Sequence, residues 1–136
     1  MTGEDIVSAA RAYIGVPFRH QGRSSSGLDC AGMIIRVAQS IGADYVDQSG
    51  YSRSPSKGLL KASLDRQPCL IQVLDNSLRT GDVLLMRFAR EPQHLAIYAG
   101  QTIIHSYLQA GRVCEHDYAP IWANRTVCTY RFRGCE

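Results

Sequence analysis

From Cys69 onward the chain is a succession of short strand-like runs, CLIQVL, GDVLLMRF, HLAIYAG, QTIIHSY, GRVCEH and TVCTYRFR, separated by Asn, Ser, Gly and Pro. Ahead of them lies the strongest helical signal in the sequence. Cys30, Met33, Ile34, Val37, Ala38 and Ile41 recur at helical spacing, and Gly42 follows as a C′ residue. Helices first and consecutive strands afterwards predict an α+β domain with an antiparallel sheet, one face of it covered by the Cys30 helix.

A second helix is predicted over residues 2–14. Thr2 is its cap, Asp5 sits at capping-box spacing, Ile6, Ala9, Ala10, Tyr13 and Ile14 form an apolar stripe, and Gly15 and Pro17 end it. PFRHQGRSSSG (17–27) reads as a loop that delivers the chain to the Cys30 helix. Residues 43–58 are polar and turn-rich, and 58–67 carry the weak periodicity of a short helix. A chain of 136 residues buries one ordinary core, so 1–136 is read as a single domain.

Composition excludes several classes of function. With 45% hydrophobic and 20% charged residues the chain is not disordered, and no window reaches the apolar length of a membrane span. A net charge of +3 without a basic run gives no reason to expect nucleic-acid binding. The opening MTGEDIVSAARAYIG has acidic residues where a secretory signal has basic ones, so synthesis in the cytoplasm without a signal peptide is expected. The five cysteines are odd in number and form no C-x-x-C pair, which argues against a disulfide framework or a zinc ribbon.

Cys30 admits two readings. A cysteine on an apolar helical stripe is ordinarily a small buried hydrophobe. Because Cys30 begins the stripe, however, its sulfur sits at the helix N-terminus, where free N–H groups favour a thiolate and can receive an oxyanion. A nucleophile needs a base, and HLAIYAGQTIIHSY supplies two histidines. With a two-residue Gly100-Gln101 turn, Ala99 pairs with Thr102, Ala96 with His105 and His94 with Tyr107, so His94 and His105 become diagonal neighbours on one face. His94 is then the candidate base and His105 the residue that orients it. His116 reads as a solvated strand end and His20 as a loop residue able to line the cleft. Asp29 reads as the helix cap and Asp82 as a turn residue before a strand. Cys69, Cys114 and Cys128 read as packing residues without a metal-ligand pattern, and Cys135 as a frayed end.

The run ARAYIGVPFRHQGRSSSGLDCAGMIIRVAQSIG, then GDVLLMRF, then HLAIYAGQTIIHS, resembles the NlpC/P60 family of papain-like cysteine peptidases. The closing portion looks like the branch encoded near phage and gene-transfer-agent tail genes. The resemblance implies N-terminal helices on a central antiparallel sheet or half-barrel. It also implies a thiol protease that hydrolyses peptidoglycan stem peptides, commonly at the bond between D-γ-glutamate and a diamino acid. By motif position Cys30 is the nucleophile, His94 the base and His105 the orienting residue, with no metal or other cofactor; Asp29 would hold the amine of an N-terminal L-Ala. Two positions depart from the family pattern, Phe18 for tyrosine and Ala31 for serine, which shifts attention to His20 and Gln21 as replacement polar contacts. Partners implied are the cell wall and phage-tail or secretion-system proteins, which would carry a protein without a signal to its substrate. Rival readings are a zinc hydrolase with Cys30, His94 and His105 as ligands, a non-catalytic tail or wall-binding module of the same fold, and acyl transfer to or from lipids.

Overall fold

The computed structural model describes residues 1–53 and 55–136; within the polar 43–58 stretch, Ser54 lies outside the described residues. Helix α1 (Gly3–Arg11) starts in a capping box, with Asp5 N–H donating to Thr2 Oγ1 and Thr2 N–H donating to the Asp5 carboxylate at 2.8 Å. It ends earlier than its apolar stripe. Gly15 N–H donates to Val113 O, and Val113 N–H to Val16 O, so strand pairing takes this segment out of the helix. The expected loop 17–27 holds a small hairpin, β1 (Arg23–Ser24) with β2 (Gly27–Leu28), closed by Ser26 N–H on Ser24 Oγ.

Helix α2 (Cys30–Ser40) buries Met33, Ile34, Val37 and Ala38, and Gly42 follows it at φ +70° with Ala43 N–H closing back on Ala38 O. A short α3 (Leu59–Asp65) precedes β3 (Leu70–Val73), β4 (Val83–Phe88), β5 (Glu91–Tyr98), β6 (Thr102–Tyr107), β7 (Arg112–Asp117), α4 (Pro120–Arg125) and β8 (Thr126–Phe132). The last six strands form one antiparallel sheet in the order β3-β8-β4-β5-β6-β7. The α+β class follows directly. No helix among the described residues is long and apolar enough to cross a membrane.

The Cys30 helix covers one face of the sheet, as expected, and the other face is covered as well. Val83, Leu85, Leu95, Ile97, Ile104 and Val113 face the main core with α1 and α2, while Leu84, Met86, Ala96 and Ile103 pack on the other face with Tyr98, Tyr118 and Trp122. Strand β4 therefore reads VLLM without alternation, because it is buried on both sides. Each such fully buried Leu or Ile contributes about 1.5–3 kcal/mol. The second cover comes from α4, a one-and-a-half-turn helix opened by Pro120, whose Trp122 closes over the end of the sheet that carries the histidines. At the start of β4, Asp82 is buried and doubly bonded by the Arg131 guanidinium at 2.8 Å, a structural pair in keeping with its place in a turn.

Candidate active site

The first turn of α2 is pressed against the chain that precedes it. A Cβ on Gly32 would lie 2.0 Å from Gly22 O, so only glycine permits this approach. Asp29 caps the helix through Gly32 N–H at 2.7 Å. Cys30 is thereby left at the helix tip, on a cleft of about 350 Å³ that Phe18, His20, Asp29, Ala31, His94 and Tyr107 help to line. The backbone N–H groups of Leu95 and Ala31 face its sulfur, which sets the thiol beside the His94–Leu95 peptide. Burial, and after it the Asp29 carboxylate, push the thiol up to about 12. Both act against the lowering expected from the helix terminus. The capping carboxylate sits where the positive end of the dipole would act, and lost hydration penalises the thiolate more than the nearby N–H groups and Arg23 favour it.

His94 lines the same cleft, and His105 lies behind it. Strands β5 and β6 pair Ile97 with Ile104 and Tyr98 with Ile103, the register expected for the Gly100-Gln101 turn, and Ala99 N–H donates to Thr102 O. His94 and His105 are buried, with His94 Nε2 2.6 Å from His105 Nδ1. The contact does not stop there. His105 Nε2 lies 2.8 Å from His116 Nε2, and His116 Nδ1 lies 3.0 Å from Asp117 O. A carbonyl only accepts, so His116 Nδ1 carries a hydrogen and its Nε2 accepts from His105 Nε2–H. His105 Nδ1 then accepts from His94 Nε2–H, which leaves the lone pair of His94 on Nδ1, the nitrogen free to meet a thiol. His116 is thus not a solvated strand end. The β6–β7 register, which pairs His105 with Cys114 and Ile103 with His116, turns its ring onto His105.

The two buried rings, His94 and His105, are uncharged. Burial lowers His94 well below the usual histidine range, with the neighbouring rings and Arg125 acting in the same sense, and burial followed by His116 lowers His105 to about 3. Phe88 stacks on His94 at 5.1 Å, Tyr107 lies parallel to His105 at 5.1 Å, and the Trp122 edge meets His105 at 5.1 Å, so aromatic packing fixes the ring orientations.

The wall on the other side of Cys30 is built from charges. Asp29 Oδ1 accepts from Gly32 N–H and, at 3.0 Å, from Arg23 Nη1; Oδ2 accepts from Gln21 N–H at 2.8 Å and from the Tyr51 hydroxyl. Arg23 also reaches Asp47, Gln48 O and the Tyr51 oxygen. Arg23 and Tyr51 were not singled out by sequence. They sit 28 residues apart, one of them in an unpatterned polar stretch, and only the fold joins them. Phe18, Ala31 and His20 line the cleft. Gln21 is not among the residues that line the cleft, and its side-chain amide is engaged with Gly50 N–H and Tyr51 O. Among the described residues, one set of three metal-ligating side chains has its donor atoms within 4.8 Å of one another: His105, Cys114 and His116. Cys30 and His94, two of the ligands in the zinc-hydrolase alternative, are not in it, whereas Cys114, read as a packing residue, is.

The model of the NlpC/P60 family matches residues 15–131. The murein DD-endopeptidase MepS/murein LD-carboxypeptidase of Escherichia coli K12 is 27% identical over 112 residues, covering 82% of this chain and 53% of that protein. A probable endopeptidase of Corynebacterium glutamicum is 27% identical over 122 residues, covering 88% of this chain and 51% of that one. The chain spans about half the length of these relatives. Among solved structures, an NlpC/P60 family protein from Bacillus cereus superposes with a TM-score of 0.71 at 19% identity, over 97% of this chain and 40% of that one. The NlpC/p60 domain of the peptidoglycan hydrolase SagA gives 0.65 at 24% identity, over 95% and 97%.

Proposed function

The chain belongs to the NlpC/P60 family, and from that premise we propose that it is a cysteine peptidase acting on the peptide stems of bacterial peptidoglycan. Cys30 is the nucleophile, His94 the base and His105 the residue that orients the base. One observation carries the assignment: Cys30 and His94 line a single cleft, and the hydrogen-bond chain behind His94 leaves the lone pair on its free nitrogen.

The resting pair is a neutral thiol and a neutral imidazole. As sulfur attacks the scissile carbonyl, His94 Nδ1 takes its proton, and the imidazolium so formed is held by its Nε2–H on His105. The oxyanion of the tetrahedral intermediate is received by N–H groups at the start of α2. The C–N bond then breaks, His94 returns the proton to the departing amine, and water drawn onto His94 hydrolyses the thioester. Two relatives are named for endopeptidase activity, one of them on murein. Within that class we assign the bond between D-γ-glutamate and a diamino acid. The Asp29 carboxylate, already met by four donors, takes the N-terminal amine of the stem only by sharing with Arg23 and Tyr51.

Digestion of purified peptidoglycan and of L-Ala-D-γ-Glu-diaminopimelate peptides, with products weighed by mass spectrometry, tests both levels. Wild type exposes a new diaminopimelate amine, and Cys30→Ala does not. Release of no new amine from any stem peptide sinks the peptidase reading, and cleavage only at D-Ala cross-links moves the bond.

A further inference from the structure

His105 and Cys114 are directly paired across β6 and β7, and His116 stands two residues further along β7, so two imidazoles and a thiol share one face of the sheet behind the cleft. We propose that these three side chains form an inhibitory site for a zinc-class divalent cation, which switches the peptidase off by reversing the hydrogen-bond chain that ends on His94. The inhibitory half rests on the peptidase reading above; the site itself does not.

The donor set suits the ion, since two imidazole nitrogens and one thiolate are a familiar ligand combination that leaves a fourth tetrahedral position for water. Ligand atoms around such an ion lie about 3.3–3.8 Å apart, given metal–ligand bonds of about 2.0–2.3 Å. The three donors here are already within 4.8 Å of one another. His105 Nε2 and His116 Nε2, 2.8 Å apart across a shared hydrogen, need only open slightly. His105 is fully buried, whereas Cys114 and His116 are partly exposed, which gives an ion a way in.

The proton balance explains the inhibition. Binding displaces the Cys114 thiol proton to solvent, so one proton is released per ion. His105 must offer its Nε2 lone pair, and its hydrogen moves to Nδ1. His94 Nε2 then has to accept instead of donate, and the hydrogen of His94 moves to Nδ1, the nitrogen that acts as the base in the proposed reaction. An imidazole with N–H toward the thiol cannot take the thiol proton. Cys30 itself is untouched.

The test has two arms. In the first, the full chain carrying Cys30→Ala, which removes the nucleophile as a competing ligand, is titrated with Co²⁺ and with Zn²⁺. One equivalent binds, a thiolate-to-cobalt charge-transfer band appears, and one proton is released. Adding Cys114→Ala, or Cys114→Val to keep the side-chain volume, abolishes the band and weakens binding by about tenfold or more. Absence of a bound equivalent in Cys30→Ala, or binding that ignores Cys114, overturns the site. In the second arm, Cys114→Ala in an otherwise wild-type chain keeps metal-free activity, and the half-inhibitory zinc concentration rises by about tenfold or more. If that concentration does not move, the inhibitory role is overturned and zinc acts at Cys30. Should no stem peptide be cut at all, the peptidase reading falls while the binding arm still decides the site.

Discussion

The two walls of the cleft solve the same problem, holding polar groups near Cys30, by opposite means. On one side Asp29, Arg23, Asp47 and Tyr51 form a charged lattice in which the carboxylate accepts four hydrogen bonds. On the other, three imidazoles are chained end to end onto a backbone carbonyl, and burial keeps the inner two, His94 and His105, neutral. A buried charge with a full set of partners is costly to disturb, so the first wall is a brace. A chain of neutral rings can pass hydrogens along without creating an isolated charge, so the second wall is suited to moving protons. Structure and chemistry are thus divided between the two sides of a single sulfur.

The sharpest way to break this division is to remove one group from each wall and read activity and stability together. His94→Gln keeps the ring's approximate volume and an N–H for His105 but has no basic nitrogen. Its kcat is expected to fall by about 10⁴-fold, the upper range for general-base removal, with little change in unfolding free energy. Asp29→Ala strips α2 of its cap, about 1 kcal/mol, and leaves Arg23 without the carboxylate it faces. Breaking a buried pair in this way costs about 3–5 kcal/mol, and the 22% exposure of the Arg23 side chain argues for the lower end. Urea unfolding in a Cys30→Ala background measures the loss. An Asp29→Ala protein as stable as its parent yet unable to bind stem peptide would remove the bracing role and leave Asp29 its substrate role alone.

The middle-sized effect concerns the length of the relay. His116→Phe keeps a ring against Trp122 but removes the acceptor for His105 Nε2–H, so His105 is freed to turn or to change tautomer. The hydrogen bond lost is worth about 1–1.5 kcal/mol, and kcat is expected to fall by about tenfold at unchanged KM. His116→Gln, whose amide oxygen can still accept, restores most of the rate. Equal activity in the Phe and Gln variants would end the relay at His105.

How much of each wall could be read from the sequence follows the distance between its parts along the chain. The His94–His105 pairing was legible because a two-residue turn fixes the register of the hairpin, and register fixes which faces coincide. The step from His105 to His116 lies one hairpin further on. Its signal in the sequence is Gly111, which ends a four-residue loop before Arg112 and takes φ +75°, but such a loop fixes the β6–β7 register less tightly than a two-residue turn does. The Asp29 cap was legible from the helix that follows it. Its partners were not, since Tyr51 arrives from a stretch with no periodicity, and neither hydrogen-bond chains nor charge lattices leave a repeating pattern in sequence. The α4 cover escaped for a related reason, as six residues are too few to show a period.

The smallest effect separates the charge of Asp29 from its shape. Asn at position 29 keeps an oxygen for Gly32 N–H, so the cap survives, but it removes the negative charge that raises the Cys30 thiol and releases Arg23, whose charge lowers it. Both changes favour the thiolate. The thiolate fraction at neutral pH grows tenfold for each unit the thiol falls, while nucleophilicity drops by about threefold, leaving a net gain of about threefold per unit in the rate of alkylation. Asp29→Asn is therefore expected to react with iodoacetamide faster than wild type at pH 7, and in both proteins the rate at Cys30 should keep rising with pH above neutrality, because a thiol raised toward about 12 is mostly protonated throughout that range. Peptide mapping isolates the Cys30 rate from those of the other four cysteines. A slower Asp29→Asn, or a wild-type rate already level by pH 7, would mean that Cys30 rests as a thiolate.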